Sequence, residues 1–371
     1  MYDLFNRRYP VEQLHSLQQA LKILMKNQYA PELRTTAKSL MAEGKGILAM
    51  DESNGTCNKR FEKLDIAATE ENRRAYRELI LTASGLNDYI SGAILYDETI
   101  RQSTKEGKSF VKVMQDAGMI PGIKVDIGAK DLTFRDNEKV TEGLDGLRDR
   151  IAEYYQMGAR FAKWRAVITI GENIPSDGCI EANAHGLARY AALCQEGGLV
   201  PIVEPEVLIN GDHTIERCYE VTEKTLREVF RQLHLQGVAF DQMILKPSMV
   251  ISGDNCSTQA SVEEVATETI RCLLNNVPAT VPGIAFLSGG QSKERSSAHL
   301  NYMNANLRDR LPWRVTFSYA RAIQQPALDH WSGKSENVAE AQKILVQRAK
   351  LNSAASEGHY SEEMEKQPAL V

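Results

Sequence analysis

The 371-residue sequence contains no apolar run close to the ~20 residues that cross a bilayer. Its first ten residues carry Asp3, Arg7 and Arg8 and lack the apolar stretch of a secretory signal. Cysteine is sparse and unpatterned. The six thiols, at positions 57, 179, 194, 218, 256 and 272, form no CxxC pair, which reads as reduced cysteines in a cytosolic chain. The seven histidines show no HxH or HExxH spacing, which speaks against a metal site, and no cofactor is expected. A P-loop is missing too, as is a GxGxxG opening a helix after the first strand. No long Pro/Ser-rich linker divides the chain, and a single domain over 1–371 is the simplest organisation. The balance of 44 basic and 49 acidic residues, net charge -5, argues against a nucleic-acid-coating protein. What these absences leave is a soluble, cytoplasmic, globular protein with neither membrane nor nucleic acid as partner, and most proteins of that description are enzymes.

Short apolar runs alternate with charged stretches of helical period. Strands are expected at Gly46–Met50, Gly92–Tyr96, Ile120–Val125, Phe161–Ile168, Leu199–Val203, Met243–Lys246, Gly283–Leu287 and Arg314–Phe317. Runs apolar on both sides suit parallel strands covered by helices. Helices are expected at Thr69–Leu81, Thr141–Met157, Asn183–Glu196, Thr214–Gln236 and Val262–Asn275; Thr69, followed by Glu70 and Glu71, suits an N-cap with acids in the first turn. Eight strand–helix repeats predict an α/β fold, a (β/α)8 TIM barrel over about 44–322, with a doubly wound sheet as the runner-up. Outside it, residues 1–43 form an N-terminal helical extension, with Leu14, Leu17, Leu21, Leu24 and Met25 on one stripe of a helix over Val11–Asn27. Residues 323–371 supply a C-terminal helix, including Ala339–Ala349, and a mobile tail, loosely held from Gly358.

In such barrels chemistry gathers at the C-terminal ends of the strands, and residues two apart on a strand face the same way. On that rule the ionisable residues converge: Asp51 after the first strand, Lys124 and Asp126 on the third, Lys163 and Arg165 on the fourth. Glu204 and Glu206 close the fifth, Lys246 the sixth, Ser288-Gly289-Gly290 the seventh, and Ser318 and Arg321 follow the eighth. Lys246 leaves an apolar strand and precedes Pro247. Desolvation and a neighbouring cation such as Lys163 would depress its pKa toward that of an amine able to attack a carbonyl, although a snorkelling lysine fits the same facts. Glu204 and Glu206 are paired carboxylates, either a proton shuttle or partners of Lys163 and Arg165. The Ser288-Gly289-Gly290 segment, in the loop after the seventh strand, has bare amides for a phosphate, and Arg321 could add a bidentate donor.

The runs GKGILAMDES (44–53), TEENRR (69–74), GIKVD (122–126), GLDGL (143–147), FAKWR (161–165), EANAHGLARYA (181–191), VPIVEPE (200–206), LKPSMV (245–250), FLSGGQS (286–292) and TFSYARA (316–322) closely resemble class I fructose-1,6-bisphosphate aldolase, over roughly residues 30–360. The resemblance implies a (β/α)8 barrel, usually a homotetramer, that needs no metal and acts on sugar phosphates. By motif, Lys246 matches the Schiff-base lysine, Glu204 the general acid/base, Asp51 the acid beside the breaking bond and Lys163 the cation beside the imine. Arg165, Lys124 and Glu206 match supporting charges; Ser288, Gly289, Gly290, Ser318 and Arg321 match the C1-phosphate site; Thr56 and Arg60 match residues toward the other phosphate. A Schiff-base aldolase for a related ketose phosphate, or a non-catalytic scaffold paralogue, is the alternative.

Three positions depart from the family pattern. Ala320 replaces the glycine of Ser-Tyr-Gly-Arg and would be strained if that backbone is left-handed. Thr56 replaces a serine. The chain ends Pro368-Ala369-Leu370-Val371 where eukaryotic members end in tyrosine; Tyr360 is the nearest tyrosine and aligns with an internal one.

Overall fold

A computed structural model describes residues 27–366. The expected helix over Val11–Asn27, all but its last residue, and the final Pro368–Val371 lie outside the described residues. Eight parallel strands follow one another around a barrel: β1 (Gly46–Ala49), β2 (Ile90–Leu95), β3 (Ile120–Lys124), β6 (Phe161–Ile168), β7 (Val200–Val207), β8 (Ile244–Leu245), β9 (Gly283–Phe286) and β10 (Arg314–Phe317). The ring is closed between β10 and β1, where the Ala49 N–H donates to the Tyr319 carbonyl (3.1 Å) and the Thr316 hydroxyl to the Lys45 carbonyl (2.8 Å). All eight strands expected from the sequence are present, two with the expected bounds. β7 runs on to Val207, so both glutamates ride on the strand itself, whereas β8 is two residues long and Lys246 leaves it immediately.

Two apolar layers hold the barrel. An outer one lies between strands and helices; an inner one joins Ile47, Ile94, Phe161, Ile202 and Ile244 to Leu33, Ala37 and Leu40 of the helix Ala30–Leu40. That helix plugs the N-terminal end. Inside, the Phe161 ring fills the place where a Cβ on Gly122 would stand, 2.2 Å away, so the glycine of GIKVD makes room for a neighbouring aromatic side chain. With one end sealed by packing, only the C-terminal end is left for a site.

The Thr69 cap is as expected: its side chain accepts from the Asn72 N–H (3.2 Å) ahead of the helix Glu70–Leu81. Thr69→Ala should lower stability by about 1 kcal/mol, read as a shift in the urea midpoint with an unchanged slope.

Three expectations are corrected. The helix expected over Thr141–Met157 begins at Leu147: Gly143 (φ 127°) and Gly146 (φ 66°) are left-handed and break it, and Thr141 ends a hairpin, β4 (Ala129–Asp131) with β5 (Lys139–Thr141), that the sequence reading overlooked. The helix expected from Asn183 begins at Asp177, where the Ser176 side chain accepts from the Cys179 N–H (3.2 Å). The tail is not loosely held over its described part. The Glu365 carboxylate accepts from buried Arg348 (2.5 Å) and from the Tyr360 hydroxyl (3.1 Å), which ties residues 360–366 to the helix Val338–Ser356.

Candidate active site

Strand register brings the polar residues together. Lys124 pairs with Lys163 across β3 and β6, and Arg165 with Glu204 across β6 and β7. Lys246 donates its backbone N–H to the Val203 carbonyl (2.8 Å), one residue before Glu204. The result is a chain of buried charges. Lys246 Nζ is 3.3 Å from Glu204 Oε1, Lys163 Nζ is 3.2 Å from Glu204 Oε2, and Lys163 Nζ is 2.6 Å from Asp51 Oδ2. The side chains of Lys246, Glu204 and Lys163 are 3%, 4% and 5% exposed, so these contacts form in a medium where charges interact strongly.

Burial and charge act on each group in opposite or concerted senses. Burial depresses the Lys246 pKa, and the Lys163 charge adds to that, against the pull of Glu204 and Asp51. For Lys163 burial acts the same way but is outweighed by Asp51 and Glu204, so its pKa rises and it stays a cation. Burial would raise the Asp51 carboxyl; Lys163 and Lys246 overcome it and bring the pKa down to about 2. Glu204 is likewise lowered by Lys163, Lys246 and Arg165 against its burial. Two lysines side by side have thus been driven apart, one held charged and the other pushed toward the neutral amine. Glu204 Oε2 has no aligned donor although Lys163 is near, which leaves a lone pair able to take a proton.

A cavity of about 700 Å³ opens above this chain, with Asp51, Lys163, Lys124, Arg165 and Thr56 in its wall. Lys124 is bound to Asp126 Oδ1 (2.7 Å), and Arg165 to Glu206. Arg60 is placed differently from expectation. It is not in the cavity wall: its guanidinium pairs with Glu52 Oε1 (2.5 Å) and donates to the Tyr76 hydroxyl (3.3 Å), while Arg77 holds Glu52 Oε2 (2.8 Å). The wall carries Glu52 instead. Glu52, Tyr96, Arg101, Arg150 and Tyr154 face the cavity and were overlooked in the sequence; Glu52 alone had a signal, its place next to Asp51.

On the other side of the rim, the loops after β9 and β10 lie next to each other because those strands pair. Gly289 (φ 48°) and Gly290 (φ 87°) turn the first loop with left-handed backbone, which glycine adopts without strain. The Ser318 hydroxyl is buried and has no partner among the described residues; Arg321, exposed, opens the next helix. The helices Lys293–Asn306 and Arg321–Trp331 begin directly after these loops, so their N-terminal ends, favourable places for an anion, lie at this edge. The backbone at Ala320 has φ -106°, so alanine is accommodated there without left-handed strain. The Tyr360 hydroxyl is engaged with Glu365.

A parallel eight-stranded barrel, sealed at one end and carrying a desolvated lysine beside a carboxylate at the other, is the architecture of a barrel enzyme that can form a covalent imine. Residues 32–370 match the family model "Fructose-bisphosphate aldolase class-I". A probable fructose-bisphosphate aldolase class 1 of Xanthomonas campestris is 62% identical over 330 residues, 89% of this chain and 98% of that one. The chloroplastic fructose-bisphosphate aldolase 3 of Arabidopsis thaliana is 52% identical over 92% of this chain and 86% of its own. The fructose-bisphosphate aldolase of Plasmodium falciparum, solved with TRAP and a small-molecule inhibitor, superposes with a TM-score of 0.88 at 48% identity, covering 90% of this chain and 96% of that one. This chain belongs to the class I fructose-bisphosphate aldolase family, a family of carbon–carbon lyases that work through a Schiff base.

Proposed function

We propose that the protein reversibly cleaves fructose 1,6-bisphosphate to dihydroxyacetone phosphate and glyceraldehyde 3-phosphate through a Schiff base on Lys246. The observation that carries this reading is the buried succession Lys246–Glu204–Lys163–Asp51. Lys246 passes its ammonium proton to Glu204, 3.3 Å away, and attacks the C2 ketone as the neutral amine; Glu204 then returns that proton to the carbinolamine hydroxyl, which leaves as water. The resulting iminium accepts the electron pair of the C3–C4 bond as Glu204, aided by Asp51, takes the C4 hydroxyl proton. Glyceraldehyde 3-phosphate leaves, the enamine is protonated, and water releases dihydroxyacetone phosphate. Lys163, kept charged, stabilises the carboxylates that do this work. Covalent catalysis divides one difficult step into easier ones.

The phosphates act at a distance from the reacting carbons. Ser288, Gly289, Gly290, Ser318 and Arg321 hold the C1-phosphate, and Thr56, Lys124 and Arg165, the last held by Glu206, form the wall along which the rest of the sugar lies; binding energy there orients the C3–C4 bond. Arg60 acts on this wall through Glu52.

Three organisational readings go with this one. The continuous outer core among the described residues supports the reading of the chain as one domain, and the family resemblance supports a homotetramer, to be checked by sedimentation equilibrium. No helix among the described residues is long and apolar enough to cross a membrane, and the reduced cysteines suit the cytoplasm.

Borohydride added with fructose 1,6-bisphosphate should trap a secondary amine on Lys246, found by mass spectrometry of the peptide containing 245–250. Activity that EDTA abolishes, with no adduct formed, would overturn the reading.

A further inference from the structure

The turn that carries the glycines of the phosphate rim is held from behind by a histidine. His299, in the helix Lys293–Asn306, is 0% exposed, and its Nδ1 lies 2.6 Å from Gln291 Oε1. The other end of the same amide, Nε2, faces Met249 Sδ at 3.7 Å, a weak acceptor only, so the amide oxygen is the end turned to the histidine. An amide oxygen accepts, hence His299 Nδ1 carries the proton. Burial, with Arg295 adding to it, lowers the imidazole pKa to about 4, so the ring is neutral and Nε2 is a bare acceptor. Nε2 is buried with no partner among the described residues.

Gln291 joins three parts of the rim. Its backbone N–H donates to the Ser288 carbonyl (2.9 Å) and closes the turn over Gly289 and Gly290. Its side chain reaches His299 in the following helix and Met249, three residues beyond Lys246. The turn is thereby fixed both to the helix whose N-terminus faces the rim and to the segment after β8. A buried polar ring that leaves one nitrogen unpaired is unfavourable for stability alone, where an apolar side chain would serve better.

We infer that His299 is a positioning residue for the phosphate end of the substrate: through Gln291 it holds the Ser288-Gly289-Gly290 turn in the shape that receives the phosphate. The inference rests on the reading of that turn as the C1-phosphate site. His299 touches neither substrate nor reacting atoms, so its removal acts on binding and leaves the chemistry of Lys246 in place.

The test is a set of kinetic measurements on the full chain with fructose 1,6-bisphosphate. His299→Leu strands the Gln291 oxygen in a buried site and should raise KM about tenfold, with kcat within about twofold and full borohydride trapping at saturating substrate. His299→Asn keeps a donor near the place of Nδ1 and loses the unpaired Nε2; its KM should return to within about threefold of the parent, with no loss of thermal stability. Gln291→Leu should raise KM as His299→Leu does, and the double variant should add nothing further. Ser288→Ala separates the two levels. An unchanged KM there removes the phosphate site and this inference with it; a raised KM there with an unchanged one in His299→Leu removes the inference alone. A fall in kcat at constant KM, or no rescue by asparagine, also overturns it. If His299→Leu is not recovered folded, Gln291→Leu, on the partly exposed turn, decides the same question.

Discussion

Lys246→Met should give a folded protein whose cleavage of fructose 1,6-bisphosphate falls on the order of 10⁵-fold and which takes up no borohydride label. Methionine matches the length of the lysine stem and keeps its apolar contacts, so the substitution removes the amine and little else. The stability outcome tests the protonation state. Lys246 has a depressed pKa in the folded protein because burial and Lys163 oppose its charge. A lysine whose folded pKa lies below the unfolded value near 10.4 binds fewer protons when folded, so stability rises with pH between the two values. The parent should show that rise on the alkaline side of neutrality, and Lys246→Met should lack it while keeping an equal or higher urea midpoint at pH 7. Turnover within about a hundredfold of the parent would mean that another amine forms the adduct. A large loss of stability at neutral pH would mean that Lys246 is a charged structural partner of Glu204.

Why the site was so readable follows from the fold. In a parallel barrel every strand ends on one rim, so residues far apart in sequence need only be strand-terminal to be neighbours; Asp51, Lys163, Glu204 and Lys246 required no knowledge of the loops. Alternation put Lys163 and Arg165 on one face of the strand, and height along it separates them: Lys163 is buried, while Arg165, two residues nearer the rim, is 44% exposed at the cavity. What stayed hidden depends on side-chain reach and on loops. Arg60 lies on the helix Asn54–Glu62, and its period does not reveal that Glu52 and Tyr76 draw it inward from the cavity. The hairpin β4–β5 is two three-residue strands with mostly exposed or half-buried side chains, too short to show an alternation. The tail reads as polar because Glu362, Glu363 and Glu365 are counted as solvated, whereas Glu365 has a buried arginine waiting 17 residues earlier. His299 was no more legible. A histidine on a helix is ordinary, and only the 2.6 Å contact with Gln291 gives it a task.

Lys163→Met should destabilise the protein by about 3–5 kcal/mol at pH 7.5, because it leaves two buried carboxylates without the cation they share. Lys163 Nζ is the partner at 2.6 Å from Asp51 and 3.2 Å from Glu204; with it gone, Lys246 still pairs with Glu204, and Lys124 and Arg165 act on the carboxylates without an ion pair to either. The pH dependence identifies the cause. In the parent, Asp51 titrates at about 2 when folded and near 3.9 when unfolded. A depressed carboxyl stabilises above the unfolded pKa and loses that contribution as pH falls from about 4 to 2, so the parent weakens in acid. In the variant, burial acts without its main opponent and carries the carboxyl pKa above the unfolded value. Such a group binds its proton more tightly when folded, and stability is regained as pH falls through the raised pKa. The deficit relative to the parent should therefore be largest above neutrality and shrink by pH 4.5, measured as the difference in urea midpoints. A deficit that is constant or grows in acid would mean that Lys163 contributes packing and not charge. Activity should fall for a second reason. The Lys163 charge is one of the causes that depress the Lys246 pKa, and without it the amine holds its proton to higher pH. The alkaline shift of adduct formation, followed by borohydride trapping across pH, separates this effect from simple unfolding, since the residual folded fraction trapped at pH 9 should form adduct faster than at pH 7 by a wider margin than in the parent.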